Sequence, residues 1–126
     1  MNRSFGLRLT IYSKTNMGLT NEHFYTSELN YSAKIFRTLA HPCRIRIIGT
    51  LLVHDYMTVG EMTEQFNGPS QSSLSEHLRH LKDAGLISGT KVETTIRYSL
   101  NGAIWEHVKW VLTTVANDNE LVMLYQ

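Results

Sequence analysis

The sequence predicts one mainly α-helical domain that carries a small β-hairpin. Through most of the 126 residues, apolar side chains recur at helical spacing, as at Leu74, Leu78 and Leu81. After Gly85 the pattern changes to an alternation of apolar and polar residues, which is typical of strands. Because 42% of the residues are hydrophobic, the chain can bury one core but is short for two.

Composition excludes several classes of protein. No apolar run of the sequence approaches the roughly 18 residues that span a bilayer, and polar residues interrupt the N-terminal region where a signal peptide is apolar. A single cysteine, Cys43, excludes an internal disulfide, and it is most simply a small buried residue. The sequence has no Gly-rich phosphate loop and no nucleophile with a histidine signature. We therefore expect a cytoplasmic protein that is not an enzyme and has neither a cofactor nor a membrane partner.

The formal net charge is only +1, but its sign differs between the two halves of the chain. Residues 1–54 hold seven basic and two acidic side chains, whereas residues 55–126 hold five basic and nine acidic ones. Net charge therefore gives a weak argument for nucleic-acid binding. Phosphate affinity would have to come from local placement, with help from Arg37, Arg44 and Arg46 in the basic half.

The first 30 residues are predicted to be an N-terminal extension that includes the start of the first helix. The alternating run F-G-L-R-L-T-I-Y at 5–12 favours a short strand. Either Met1 or Met17 could be the true start of the protein. The main predicted domain follows at 31–116, and 117–126 form an apolar C-terminal tail.

Two predicted helices meet at a break before Pro42. The first is capped by Ser27 or Asn30 and ends before Pro42, since residues that precede proline avoid helical geometry. Its apolar residues are Ile35, Phe36 and Leu39. Pro42 suits the first position of the second helix, where its missing N–H costs nothing. The predicted core residues of this second helix are Ile45, Ile48, Leu51 and Leu52.

A short helix and a longer one follow, separated by the break Asn-Gly-Pro at 67–69. Thr58 and Glu61 have the spacing of a capping box at the start of the short helix. Its apolar stripe is Val59, Met62 and Phe66. Ser70 or Ser72 caps the longer helix. The predicted buried face of the longer helix is Leu74, Leu78 and Leu81.

This pair of helices has the order of a helix-turn-helix, in which the second helix lies in the major groove of DNA. Gln71 on its outer face can read adenine, and Arg79 can read guanine. The first turn offers N–H groups and the positive end of the helix dipole to a phosphate. The predicted DNA-contacting residues are Ser70, Gln71, Ser72, Ser73, Ser75, Glu76, His77, Arg79, His80 and Lys82. A helix that is only exposed to solvent also has a polar outer face. The prediction of DNA binding therefore depends in part on the hairpin that follows.

The hairpin completes a winged helix-turn-helix. Its predicted strands are 86–92 and 96–100, joined by the turn Glu93-Thr94-Thr95. Basic and hydroxyl side chains near the tip suit contact with the DNA backbone or the minor groove. The predicted wing contacts are Lys91, Thr94, Thr95 and Arg97.

Asn101 is predicted to cap a last helix whose apolar face is too wide for one small domain. Its apolar residues are Ile104, Trp105, Val108, Trp110, Val111, Leu112 and Val115. We therefore expect this helix to pack against a second copy of the chain. His77 and His80 lack a third ligand close by, and no metal site is predicted.

Four segments together resemble a known family. They are I-F-R-T-L-A-H-P-C-R-I-R-I-I at 35–48, V-G-E-M-T-E-Q-F at 59–66, S-Q-S-S-L-S-E-H-L-R-H-L-K-D-A-G-L-I at 70–87 and I-R-Y-S-L at 96–100. In these segments the chain resembles the ArsR/SmtB family of bacterial winged-helix repressors, with similarity from Ala33 to Val115. The resemblance implies a homodimer that joins through its terminal helices, sits on operator DNA and is released by an inducer. It maps DNA contact onto 70–82 and 91–97.

The chain departs from that family where metals are sensed. Family members that sense soft metals often carry a C-x-C motif in the short helix, whereas 58–62 here read T-V-G-E-M. Zinc and nickel sensors use Asp and His ligands on the last helix, but here Trp105 replaces the leading aspartate and the second histidine is missing. His107 and Asp118 are the partial match that remains.

The sequence thus predicts a homodimeric, sequence-specific DNA-binding transcriptional regulator that acts as a repressor and is released by an unidentified inducer. The alternative is a winged-helix protein-interaction module without specific DNA binding, which the acidic balance of 55–126 favours.

Overall fold

The computed structural model describes residues 22–117 and shows five α-helices and one β-hairpin in that range. A 3-10 turn, Glu22–Phe24, precedes them. The elements are α1 (Ser27–Leu39), α2 (Pro42–Val53), α3 (Val59–Phe66), α4 (Gln71–Asp83), β1 (Ile87–Val92), β2 (Thr95–Leu100) and α5 (Gly102–Ala116). The strand predicted at 5–12 and most of the predicted tail lie outside the described residues.

Side-chain caps begin the helices, and most of them were predicted. Thr58, Ser70 and Asn101 cap α3, α4 and α5, as expected from their spacing. The predicted cap of α1 is wrong: Thr26, not Ser27 or Asn30, has extended backbone geometry, and its Oγ1 accepts the N–H of Leu29 at 3.1 Å. Thr26, Ser27 and Asn30 are all residue types that cap helices. The sequence alone therefore does not show which of them is the cap.

The core forms where α2, α3, α4 and the hairpin meet. Leu74, Leu78 and Leu81 of α4 are fully buried, as predicted, and Met62 and Phe66 of α3 pack into the same cluster. Each buried leucine removes apolar surface from water and stabilises the fold by roughly 1.5–3 kcal/mol relative to an exposed one. The core therefore holds α4 by one face and leaves the opposite face to solvent.

The predicted core of α2 is partly wrong. Ile45 and Leu52 are 59% and 49% exposed, whereas Ile47, Ile48 and Leu51 are buried. The isoleucines of the run I-R-I-I at 45–48 lie on two sides of the helix. Helical spacing alone therefore does not show which side is buried. Cys43, predicted to be a small buried residue, is half-buried, and burial raises the pKa of its thiol.

The hairpin is antiparallel and pairs Val92 with Thr95. Its turn therefore contains only Glu93 and Thr94, and the predicted three-residue turn is one residue too long. Gly89 lies opposite Tyr98, where a Cβ would stand 3.0 Å from Ile96 Cγ2, so a side chain there would crowd the other strand.

A short bridge ties the hairpin to the helix-turn-helix. The N–H of Met57 donates to the carbonyl of Tyr98 at 2.9 Å, and the N–H of Tyr98 donates to the carbonyl of Met57 at 2.8 Å. Since Met57 immediately precedes the cap of α3, these bonds fix the position of β2 relative to α3.

Helix α5 packs against α1. Val108 and Val111 face inward together with His107, whose Nε2 lies 2.9 Å from Ser32 Oγ of α1. No helix within residues 22–117 is long and apolar enough to cross a membrane.

Candidate DNA interface

The turn between α3 and α4 comprises residues 67–70. It begins at Asn67, which adopts a left-handed conformation with φ of 50° and ends α3. It ends at Ser70, whose Oγ accepts the N–H of Ser73 at 3.1 Å and so fixes the first turn of α4. A capping box holds the other end of α3, where the N–H of Thr58 donates to Glu61 Oε1 at 2.9 Å. Both helices of the motif thus have defined ends.

The outer face of α4 is polar and exposed. Its exposed residues are Gln71, Ser72, Ser73, Ser75, Glu76, Arg79, Lys82 and Asp83. All but Asp83 belong to the set predicted from the sequence to contact DNA. The exposed first turn leaves backbone N–H groups and the positive end of the helix dipole for a phosphate. The face can therefore present both base-reading and phosphate-binding groups to a duplex.

His77 differs from most of the other α4 residues that the sequence predicts to contact DNA, because it is not on the exposed face of the helix. Its ring is half-buried between α4 and α2, and its Nδ1 accepts the Arg44 Nε–H at 3.0 Å. The ring also packs on His41, with 4.2 Å between ring centroids. Burial, and then the nearby His41 and Arg44, lower the pKa of His77, which keeps Nδ1 free to accept. His77 thus positions α4 on α2.

Two of the three basic residues that were expected to contribute to phosphate affinity make hydrogen bonds within the protein. Arg44 also donates through Nη1 to the carbonyl of Thr38 at 3.1 Å. Arg46 donates to the carbonyl of Phe66 at 3.1 Å, with its guanidinium 4.4 Å from the Phe66 ring centroid. Both arginines join α2 to its neighbours, although Arg46 is exposed, as Arg37 is.

The wing presents Lys91, Thr94 and Thr95 to solvent. Arg97 is half-buried, and its guanidinium lies 4.3 Å from the centroid of the Tyr56 ring. This cation–π contact holds Arg97 of β2 against the segment that precedes α3. Sequence reasoning missed Tyr56, because only the bridge between Met57 and Tyr98 brings the two segments together.

Charged side chains line the outer face of α4. Arg79 donates through Nε and Nη2 to Glu76 and through Nη1 to Asp83 at 3.1 Å. The bonds from Arg79 lower the pKa of the Glu76 carboxyl. His80 Nε2 lies 3.3 Å from the same carboxylate. The one arginine of α4 is therefore bracketed by two acidic groups.

The candidate metal ligand His107 is buried within the domain. Its ring packs between Tyr31 and Trp110, and burial lowers its pKa to about 4. No cluster of three or more His, Cys, Asp or Glu side chains able to hold a metal occurs within residues 22–117. Asp118 falls outside that range, so the predicted pair itself stays untested.

A short capped helix, a four-residue turn, a helix with a polar outer face and a hairpin tied to the same core define a winged helix-turn-helix protein. Proteins of this class place the second helix of the motif in the major groove.

Comparison with known proteins agrees with this class. A family model described as a helix-turn-helix domain matches residues 39–90. The transcriptional repressor SdpR of Bacillus subtilis is 36% identical over 89 residues, which cover 69% of this chain and 97% of SdpR. The chain belongs to the ArsR/SmtB family of winged-helix transcriptional regulators, and it is a DNA-binding regulator, not an enzyme, as the sequence predicts.

Two solved structures show the same fold. The structure of Mycobacterium tuberculosis Rv0081 is 32% identical, with a TM-score of 0.55, and the match covers 72% of this chain and 94% of that one. The transcriptional repressor BigR of Xylella fastidiosa is 28% identical, with a TM-score of 0.58, over 78% of this chain and 95% of BigR.

Proposed function

We propose that the chain is a homodimeric, sequence-specific repressor of transcription that places α4 of each protomer in the major groove and leaves its operator when an inducer binds. The observation that carries the proposal is the outer face of α4: eight exposed polar residues on a helix whose opposite face is fixed by three buried leucines. Two similar proteins, SdpR and BigR, are named as repressors. A cytoplasmic location fits this role.

The proposed roles on α4 follow from side-chain chemistry. Gln71 would pair with adenine through its amide, and Arg79 would pair with the O6 and N7 of guanine. The serine hydroxyls and the free N–H groups of the first turn would bind phosphate. From the wing, Lys91, Thr94 and Thr95 would reach the backbone beside that groove.

The dimer is supported by α5. Leu112 and Val115 are 53% and 52% exposed, although each lies one helical turn after a buried valine, Val108 or Val111. Exposed apolar side chains at one end of a small domain are typical of a protein interface. A two-fold dimer would present two copies of α4 to two successive major-groove segments of one duplex.

The proposal is tested by sequencing the DNA fragments that the purified protein retains. Binding of the enriched duplex and of a scrambled one would then be measured by fluorescence anisotropy. We expect Gln71→Ala and Arg79→Ala each to weaken enriched-duplex binding by roughly 5- to 100-fold, because a good bidentate base contact is worth about 1–3 kcal/mol. Lys109→Ala, an exposed change on α5, is the control and should bind normally. A wild-type protein that shows no sequence preference at low salt would contradict the proposal.

The inducer is tested by the same assay. Retention of DNA would be repeated with a panel of metal ions and small metabolites, and the compound that releases the enriched duplex would identify the chemical class of the inducer. If none of the panel changes the affinity, release by a ligand from that panel is contradicted.

A protein-interaction module without specific DNA binding is the second candidate. Its supporting observation is that both carboxylates beside Arg79 offset the charge of the reading helix. In that case Arg79→Ala and Lys91→Ala would leave binding to the protein partner unchanged, and no DNA sequence would be enriched.

A further inference from the structure

The outermost row of side chains on α4 contains charges of both signs. Ser72, Glu76, Arg79 and Asp83 are spaced i, i+4, i+7 and i+11, so they form one row opposite the three buried leucines. The charged side chains of the row are more than half exposed. A helix that lies in a groove by this face brings a carboxylate, as well as a guanidinium, next to the bases.

Glu76 determines how Arg79 is presented. The Nε–Nη2 edge of the guanidinium lies on the Glu76 carboxylate, and the remaining nitrogen, Nη1, bonds to Asp83. A lone arginine on a helix surface samples many rotamers, whereas these bonds restrict the guanidinium to a position over the row. They also offset its charge, which weakens the attraction to phosphate that every DNA sequence offers equally.

The ion pairs do little for the stability of the fold. Exposed pairs at i, i+3 and i, i+4 contribute little to the free energy of unfolding, because water and salt screen them. Glu76 makes no contact with the core, because it lies on the side of α4 opposite Leu74 and Leu78. A purely structural account therefore gives no reason for a carboxylate at the middle of the reading face.

We propose that Glu76 is a specificity-determining residue: it positions Arg79 for a guanine and makes a base pair unfavourable at that step unless the pair also donates a hydrogen bond to the carboxylate. The inference rests on the proposed DNA-reading function of α4. In the major groove only cytosine N4 and adenine N6 donate hydrogen bonds, whereas guanine and thymine present acceptor atoms that repel a carboxylate. A C·G pair offers N4–H to Glu76 and O6 and N7 to Arg79, so it satisfies both side chains.

Glu76 therefore lowers the affinity for DNA in general and increases the discrimination between base sequences. Its charge is repelled by the phosphates of every duplex, and it regains free energy only where a base donates to it. A protein without this carboxylate should bind DNA more tightly and less selectively.

The test compares two variants that remove one negative charge each from the same row. Glu76→Gln removes the charge at the middle of the reading face, and Asp83→Asn removes it at the C-terminal end of α4. Selection sequencing gives the base preference of each protein, and anisotropy gives its affinity for enriched and random duplexes. Thermal melting followed by circular dichroism checks that all three proteins are folded.

We expect Glu76→Gln to bind random duplex roughly tenfold more tightly than wild type at low salt and to lose the preference for a C·G pair at one position of each half-site. Asp83→Asn should also bind random duplex more tightly but should keep the wild-type base preference. If both variants raise affinity by the same factor with unchanged preferences, Glu76 acts only as a charge, and the inference is wrong while the proposed function stands. If wild type itself enriches no sequence, the proposed function fails and the inference falls with it.

Discussion

Helices α4 and α5 are both amphipathic, but they differ in what covers their apolar residues. All the leucines of α4 are buried within the domain, and the exposed residues of α4 are polar. Helix α5 buries Val108 and Val111 yet leaves Leu112 and Val115 half exposed. In the proposed dimer these differences serve two tasks. The apolar face of α4 is covered within one chain, so its polar face is available to DNA, whereas the exposed apolar residues of α5 would be covered by a second chain.

The largest effect should come from the buried face of α4. Leu78→Ala leaves a cavity in the core, and we expect a loss of about 2–5 kcal/mol in the free energy of unfolding, measured by urea denaturation. Leu112→Ala, the same change on the exposed face of α5, is the control and should cost much less at a protein concentration that favours monomers. Equal losses would show that the two helices do not differ as described.

The inner face of α5 should make stability depend on pH through His107. Burial lowers its folded pKa to about 4 from the ordinary value of 6.5. Between these values the unfolded chain binds more protons than the folded one, so stability is complete above pH 6.5 and falls as the pH drops to 4. The loss should approach roughly 3 kcal/mol, because one unit of pKa corresponds to about 1.4 kcal/mol.

The measurement is urea denaturation at several pH values between 4 and 7.5. His107→Gln should flatten the dependence, whereas His54→Gln, at an exposed position, should keep the wild-type slope. An unchanged slope in His107→Gln would contradict the role assigned to the buried ring.

The outer face of α5 should control assembly. Leu112→Glu places a charge on the proposed interface, and we expect the dimer to dissociate at least about tenfold more readily, as measured by sedimentation equilibrium. Thr113→Glu adds the same charge to a neighbouring exposed position and serves as the control. A dimer that tolerates Leu112→Glu as well as Thr113→Glu would move the interface away from Leu112.

The smallest effect should come from the start of α4. Ser70→Ala removes the hydroxyl that accepts the N–H of Ser73, and it should cost about 1 kcal/mol in the free energy of unfolding. Ser72→Ala, an exposed change in the same turn, should stay within about 0.5 kcal/mol of wild type. Equal losses in thermal denaturation would argue against Ser70 as the cap.

Local signals made much of this fold predictable. The capping box at Thr58, the cap at Ser70 and the leucine stripe of α4 depend on residues within one or two helical turns, and the structure confirms them. The hairpin was predicted from alternation, although Thr95 belongs to β2 and not to the turn. The polar outer face of α4 could be placed for the same reason, since the positions of the leucines define it.

Contacts between distant segments were not predictable. The sequence assigns Arg44 to the basic residues that would help with phosphate affinity, but the fold brings it to His77, 33 positions later in the chain. Arg97 lies on Tyr56 only because a bridge joins β2 to the residue before α3. The exposure of Ile45 also depends on packing, because the run at 45–48 is apolar on two sides of the helix.

The central claim is that the outer face of α4 lies in the major groove, and guanine N7 protection tests it most directly. Because N7 faces the major groove, methylation of the enriched duplex with and without protein reports contact there. We predict two protected segments, centred about one helical turn or a multiple of it apart, with at least one protected guanine exposed again in Arg79→Ala. Bound DNA whose guanines all stay reactive, or protection that Arg79→Ala leaves unchanged, would contradict the account.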